Sequence, residues 1–408
     1  MFTVELKKLC HPILLLVALL ITIVFYNQEL NFIHKFWPNG SMIVTYDYAS
    51  DWQDRFGPTL EAEEIEEIKV EYATLVKQAD KIILENPMAK QLQLESYAEF
   101  KLWYEENVPA VRTDEMNEEE QAIVKQSDVI HQDLIDDTGH SMLLKIDVLQ
   151  SLYRAMERYD SPDVFLDDKY YTEKEREKLL EVLFLEEGWR NILPRELTST
   201  VSIYFSSIFT LVIFLLSLLI PTVFVKDRLL GLQKIQWSSR HGRNILWTQF
   251  ASGMTASFLL ITCIIGIFGG LLYFGDFTKY FSNGLNSFFN DYKESLLFSF
   301  YSWTFNQWII SIVLLFYLIG LSYTGILLYL AQTSQHYLSL FMKVIPVSFL
   351  FIVIAEQWLK DAFYLKNILY QWTKVPMIEL YAALCLLVIS FSLPIGYWMR
   401  QQNKDLLR

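Results

Sequence analysis

The chain has 408 residues, 52% of them hydrophobic and 15% aromatic, with a mean hydropathy of +0.23 and a net charge of −13. That balance excludes an ordinary soluble enzyme, and a 20% share of charged residues excludes a chain immersed in lipid throughout, so the charge must be segregated along the sequence. Residues 28–197 hold 38 of the 47 acids and 18 of the 34 bases, a net of −20, which leaves +7 for everything else and offers nucleic acid no general attraction.

Uncharged runs near 12–27, 199–225, 248–274, 303–331, 337–356 and 377–399 are each long enough to cross the hydrocarbon layer, which takes about 20 apolar residues. The pattern predicts an all-α polytopic membrane protein with six transmembrane helices and a helical polar domain. The first run follows Lys7 and Lys8 and has the look of a signal-peptide core, but FYNQELNF behind it offers no small-x-small cleavage site, so an uncleaved anchor closing segment 1–27 is expected.

Residues 28–197 form the next segment, long enough to bury a core of its own. Ile65, Ile68, Tyr72, Leu75, Ala79 and Ile82 recur at alternating spacings of three and four in a run that stops before Pro87, which predicts a helix. Thr172 with Glu175 three residues on predicts a capping box opening a second helix through EREKLLEVLFL. Between them, Asp133, Asp136, Asp137 and His140 share one face if DLIDDTGH is helical, an arrangement able to hold a divalent cation; in a domain so rich in acids a solvated face is the plainer reading, and no metal is assigned. Cys10, Cys263 and Cys385 all lie outside this segment, so no disulfide staples it.

Residues 198–408 carry the other five spans. Ser202, Ser206 and Thr210 make a polar stripe at four-residue spacing on the second, suited to close helix packing. Between the second and third spans, residues 226–247 (KDRLLGLQKIQWSSRHGRNILW) set Lys226, Arg228, Lys234, Arg240 and Arg243 against the single acid Asp227. By the positive-inside rule this island, the Lys7–Lys8 flank and the tail with Arg400, Lys404 and Arg408 face the cytoplasm, which puts both termini inside and 28–197 outside. Residues 295–342 carry no charge and need a turn at Gln332–His336 to divide two spans; Lys343 is then placed to snorkel toward the headgroups, and Pro346 to kink its helix. Trp358, Phe363, Tyr364, Tyr370 and Trp372, between the last two spans, suit an interfacial aromatic belt.

The chain has no GxxxxGK[ST] phosphate loop, GxSxG elbow or HExxH helix, so no catalytic and no cofactor-binding residues are assigned and the chain reads as a non-enzyme. No span carries a charge at its middle, where an ion-coupled carrier keeps one, so energy for transport would enter through another subunit. The island has the features of a docking element for such a subunit, since Leu229, Leu230, Leu232, Ile235 and Trp237 make it amphipathic before SSRHG breaks it.

This layout resembles the type-2 ABC exporter permeases, in which the second span runs into an acid, three residues and a glycine, then a Ser-rich turn and an arginine before the third. Asp227 and Gly231 match the acid and glycine, Ser238 and Ser239 the turn, and Gly242 with Arg243 the closing pair; Asp227 stands where glutamate is usual and Gln249 where lysine is often found. The branch it is similar to has a large extracellular helical domain between spans one and two. The resemblance implies a plasma-membrane permease that pairs with a second, identical or related permease and with two copies of a separate ATPase, which supplies ATP and Mg. It implies ATPase coupling through Asp227, Arg228, Leu229, Leu230, Gly231, Arg240 and Arg243, and a pathway or dimer face at Ser202, Ser206 and Thr210. The expected cargo is a peptide or another amphipathic or hydrophobic molecule, with bacteriocin or antimicrobial-peptide export or immunity as one form. A membrane receptor or immunity protein that captures peptides on the acidic domain without transporting them is the alternative.

Overall fold

The structure is a computed structural model that describes residues 2–9, 11–40, 42–109, 116–135, 139–159, 166, 171–231, 245–273, 276–290 and 298–402. Among the described residues it holds helices and isolated bridges but no strand, and the protein is an all-α, multi-pass membrane protein. Contacts divide it into a membrane unit (Met1–Trp37, Arg195–Leu285, Leu296–Arg408) and a polar unit (Pro38–Pro194, Asn286–Ser295).

The membrane unit begins with a short helix, α1 (Phe2–Leu9). Among the described residues, six helices long and apolar enough to cross a bilayer follow: α2 (Pro12–Phe36), α10 (Arg195–Leu229), α11 (Ile245–Tyr273), α12 (Phe305–Thr333), α13 (Tyr337–Leu359) and α15 (Ile378–Gln402), with the six-residue α14 (Ile368–Thr373) before the last. The turn expected at 332–336 is present, since α12 ends at Thr333 and His336 caps α13. Lys343 does not reach toward headgroups alone: its ammonium donates to Ser334 Oγ at 3.2 Å and to the Thr333 carbonyl at 3.5 Å, at the C-terminal end of α12 where carbonyls lack partners within the helix. Helix α13 runs on through Pro346 without a break.

Burial ranks the spans. In the most apolar window of α10, 72% of the residues are buried, against 50% for α12, 28% for α11, 22% for α13 and α15 and 11% for α2, so α10 is the most enclosed span and the outer spans leave most of these residues open to lipid. Its 35 residues cover roughly 50 Å at about 1.5 Å each, so both ends project beyond a hydrocarbon layer of about 30 Å. Side chains too small to hold helices apart set the closest approaches. A methyl group on Gly325 would meet the Ser390 backbone oxygen at 3.0 Å, and one on Gly253 would meet Leu328 Cδ2 at 2.7 Å. Hydroxyls clip the helices where they meet: Tyr323 OH lies 2.6 Å from Ser348 Oγ and 2.5 Å from Ser217 Oγ, tying α10, α12 and α13.

Helix α2 continues past its expected end. After Phe25 it passes through a π-helical turn, Tyr26–Leu30, and finishes as Asn31–Phe36, so residues that composition had assigned to the polar domain extend the first span. What holds them is His34, between two tyrosines. Tyr204 OH donates to the Phe268 carbonyl at 2.9 Å, so it accepts from His34 Nε2–H at 2.9 Å, which leaves Nδ1 to accept from Tyr26 OH at 3.4 Å. Sequence-level counting of apolar residues cannot register such a clamp, because its members are polar.

The polar unit is built from α3 (Met42–Phe56), α4 (Ala62–Glu85), α5 (Pro87–Gln91), α6 (Tyr97–Asn107), α7 (Glu118–Asp133), α8 (Met142–Arg158) and α9 (Glu173–Leu179, extended by a π-helical turn to Leu185). Capping boxes start α4 (Glu61 with Glu64), α7 (Asn117 with Glu120) and, as the sequence predicts, α9 (Thr172 with Glu175). On α4 the predicted face buries Ile68 and Ala79, and at its end Ile83 rather than Ile82 is fully buried. Ala79 and Ile83 join Ala89, Phe100, Ile130 and Ile146 in one apolar core.

A second core is completed from elsewhere in the chain. Trp52 of α3, fully buried, lies 6.3 and 6.0 Å from the rings of Phe288 and Phe289, which precede α12. Ser287 fixes this segment: its hydroxyl donates to the Asn191 carbonyl at 2.5 Å and accepts from Leu193 N–H at 3.3 Å. In the acidic stretch expected to share one helical face, α7 ends at Asp133 and Ile135 bridges to Ser141. Asp133 accepts from Asn86 at 2.7 Å, His140 lies 3.9 Å from Asp47, and Asp136 and Asp137 fall outside the described residues.

Candidate functional site

Helix α10 carries both sequence-predicted sites, one on its flank and one at its C-terminal end. On the flank, Ser202, Ser206 and Thr210 line a cavity of about 510 Å³ together with Ser199 and Ser207 of the same helix and Ile352 of α13. Its mouth is charged: Arg195, Lys360 and Lys366 against Glu356 and Asp361, a net of +1.

The hydroxyls in this groove behave unlike others on α10. A hydroxyl in an apolar helix normally satisfies itself on a carbonyl a turn back, as Thr198 does on Arg195 at 2.9 Å, Ser217 on Ile213 at 2.7 Å and Thr222 on Leu218 at 2.7 Å. In the groove only Thr210 follows, at 3.3 Å to the Ser206 carbonyl. The hydroxyls of Ser199, Ser202, Ser206 and Ser207 bond to nothing in the described protein and border open space. Leaving such groups dry costs about 1–3 kcal/mol each, so the groove is suited to water or a polar solute. Ser202 of the stripe is itself buried, and Ser217, one i+7 step beyond Thr210, joins the hydroxyl cluster that ties α10 to α12 and α13.

One wall of the mouth is the turn between α13 and α15. The belt expected there is only partly one: Phe363, Tyr364 and Tyr370 are buried, while Trp372 is 78% exposed. Backbone groups of the turn are pinned by buried side chains, with Trp308 Nε1 donating to the Ala362 carbonyl at 2.9 Å, Ser299 Oγ to the Phe363 carbonyl at 2.9 Å, and Phe363 N–H to Glu379 at 3.1 Å. Phe363 has φ +65°, a region non-glycine residues rarely enter, so these bonds hold a strained conformation.

At the other end, Asp227 is buried and accepts from Lys8 Nζ of α1 at 2.6 Å, while Glu5 accepts from the same ammonium at 2.8 Å. Burial alone would lower the Lys8 pKa; bonds and charge from the two carboxylates outweigh it, and the pKa stands above its ordinary value. The next residue, Arg228, donates to the Gln332 carbonyl at 2.6 Å and to the Ser334 carbonyl, capping α12 where the helix dipole favours a cation. Gly231 has φ +70° and its N–H bonds the Arg228 carbonyl at 2.9 Å, the left-handed stop of α10. Two of the residues expected to face a partner are thus engaged within the chain, and Leu229 and Leu230, 46% and 63% exposed, are the free surface. Arg240 and Arg243 lie outside the described residues. A nearby cavity of about 350 Å³ is lined by Lys8, His11, Val223 and Lys226.

Fold and site define a multi-pass helical membrane protein organised about one long central helix. Compared with family models, curated proteins and solved structures, the chain matches none.

Proposed function

We propose that this chain is the membrane-spanning permease subunit of an ATP-driven exporter of the type-2 ABC kind. In this reading both termini and the loop after α10 are cytoplasmic, the polar unit is extracellular, and a peptide or other amphipathic molecule leaves the cell along the α10 flank. The observation that carries it is the hydroxyl-lined groove on the most buried span, with a charged mouth at one end of the helix. The left-handed stop at Gly231 supports the same reading, since the acid, three residues and glycine of the resemblance then mark where the span ends and a partner surface starts. ATP and Mg act in the partner ATPase, present as two copies, and a second permease of the same or a related chain completes the pathway.

The excess of acids in the polar unit favours a second reading, a receptor or immunity protein that captures peptides without moving them. Purification of the full chain from its native membrane followed by mass spectrometry separates the two. Recovery of a phosphate-loop ATPase in comparable amount, with ATP turnover that needs this chain, supports the permease; recovery of a kinase and no ATPase overturns it.

A further inference from the structure

Between α3, α4 and the start of α8 the polar unit carries a cavity of about 770 Å³, within the range of about 300–1,000 Å³ that ligand pockets occupy. Its walls are partly apolar: Val44 and Met142 are buried, Leu75 is half-buried, and Val70 is 65% exposed. At one end Arg55 is surrounded by three carboxylates, Asp51 at 2.9 Å, Glu71 at 3.3 Å, and Glu67. One guanidinium among three carboxylates leaves a local charge of −2. At the other end Asp47 is opposed by Lys145 and by His140 at 3.9 Å, which brings that end near neutrality.

From this pattern we infer that the groove is a binding site for cationic amphipathic peptides. Basic side chains enter the carboxylate cage beside Arg55, and apolar side chains cover Val70 and Leu75. A local charge of −2 calls for two cationic groups close together, which a Lys-rich helix supplies one turn apart, whereas a single organic cation leaves one carboxylate uncompensated. Anionic lipid is repelled by the same acids. The site names the substrate class of the exporter and rests on the polar unit facing outside; binding needs no ATPase, so its failure and that of the permease reading are told apart.

The test uses the full chain in nanodiscs of zwitterionic phosphatidylcholine, with protein-free discs as the blank. The probes are a dye-labelled amphipathic helix of Leu and Lys only and its Lys→Gln analogue, followed by fluorescence anisotropy. At about 0.1 M salt the cationic peptide is expected to bind at least about tenfold tighter than the analogue. At about 1 M, where the Debye length shrinks from about 10 to about 3 Å, a residual affinity from the apolar wall remains. Glu67→Gln with Glu71→Gln is expected to cost about tenfold at low salt and little at high salt. Val70→Asn, at an exposed position that folding does not depend on, lowers affinity several-fold at both. Equal binding of the two peptides, indifference to both sets of substitutions, or no binding to the unaltered chain each overturns the proposal.

Discussion

Both units bury large rings, but helices of the membrane unit add close glycine approaches and shared hydroxyls, whereas three helices of the polar unit open on capping boxes closed by a glutamate. Gly325 lets α12 approach the Ser390 backbone, and Ser217, Tyr323 and Ser348 pool their hydroxyls. The polar unit buries Trp52, Phe100, Phe288 and Phe289, as the membrane unit buries Trp308, Phe209 and Phe316, and begins three of its helices with the Glu61, Asn117 and Thr172 boxes. The surroundings explain the contrast. In water, each Å² of apolar surface removed is worth about 25 cal/mol; in lipid the surroundings are as apolar as the side chains, and close packing with polar clips must serve.

The largest effect expected of this contrast is in the polar unit. Phe288→Ala, which empties a fully buried site beside Trp52, is expected to cost about 3–5 kcal/mol. The full chain should then show a lowered thermal transition by tryptophan fluorescence and faster proteolysis within 38–194, although the substitution lies in a distant part of the sequence. A fragment of residues 33–195 lacks Phe288 and Phe289 and should melt below the same region of the full chain. Unchanged melting in both would mean that the aromatic core closes without the 286–290 segment.

The membrane unit should respond to addition rather than removal. Gly325→Ala places a methyl 3.0 Å from a backbone oxygen that has no rotamer with which to retreat, so overpacking of about 1–3 kcal/mol is expected. Gly266→Ala, inside α11 where the added methyl meets nothing within 4 Å, is the control and should be neutral to slightly stabilising. Thermal stability in detergent distinguishes them, and equal melting of the two variants would break the claim that close approach sets α12 against α15.

The architecture was legible in the sequence because spans and amphipathic helices announce themselves through runs and periods of apolar residues. The six spans, the divide at 332–336 and the Thr172 box all follow from such local patterns. What escaped is long-range and polar. Lys8 reads as a topogenic flank but is held by Asp227, 219 positions away, and His34 reads as the start of a polar domain but joins α2 to Tyr204. Asn286–Asn290 reads as an interspan loop because nothing local marks Phe288 and Phe289 as another unit's core. At the candidate site, the Ser202–Ser206–Thr210 stripe was visible as spacing, but whether it packs or borders a groove depends on α13, which no spacing reveals.

The ion pair between α1 and α10 offers a smaller, pH-dependent test. Asp227→Asn removes one carboxylate from a partly exposed ammonium and is expected to release α1 at a cost of about 1–2 kcal/mol, read as faster hydrogen exchange over residues 2–9. Because the Lys8 pKa is raised on folding, the stabilisation is fully present below its unfolded value of about 10.4 and is lost as pH rises through the higher folded value. Exchange over residues 2–9, corrected for its intrinsic pH dependence, should therefore show steady protection from neutrality to mildly alkaline pH and a loss only above it. Protection that collapses between pH 6 and 9 would assign the docking of α1 to another group.

Gly231 gives the smallest effect and the finest discrimination, because two explanations of that glycine predict different things. If it is there to stop α10, its φ of +70° is what matters, and the open space around its Cβ direction means that size does not. Gly231→Ala should then cost up to about 1 kcal/mol and Gly231→Asn only a few tenths, since asparagine tolerates the left-handed region. If a partner ATPase packs against it, both side chains intrude on the same surface, and both variants should lose ATP coupling whatever their stability. Measuring melting temperature and chain-dependent ATP turnover on the two variants separates these readings. Stability that ranks Asn above Ala with turnover intact assigns Gly231 to the helix terminus alone, whereas turnover lost in both, with melting nearly unchanged in the asparagine variant, assigns it to the docking surface beside Leu229 and Leu230.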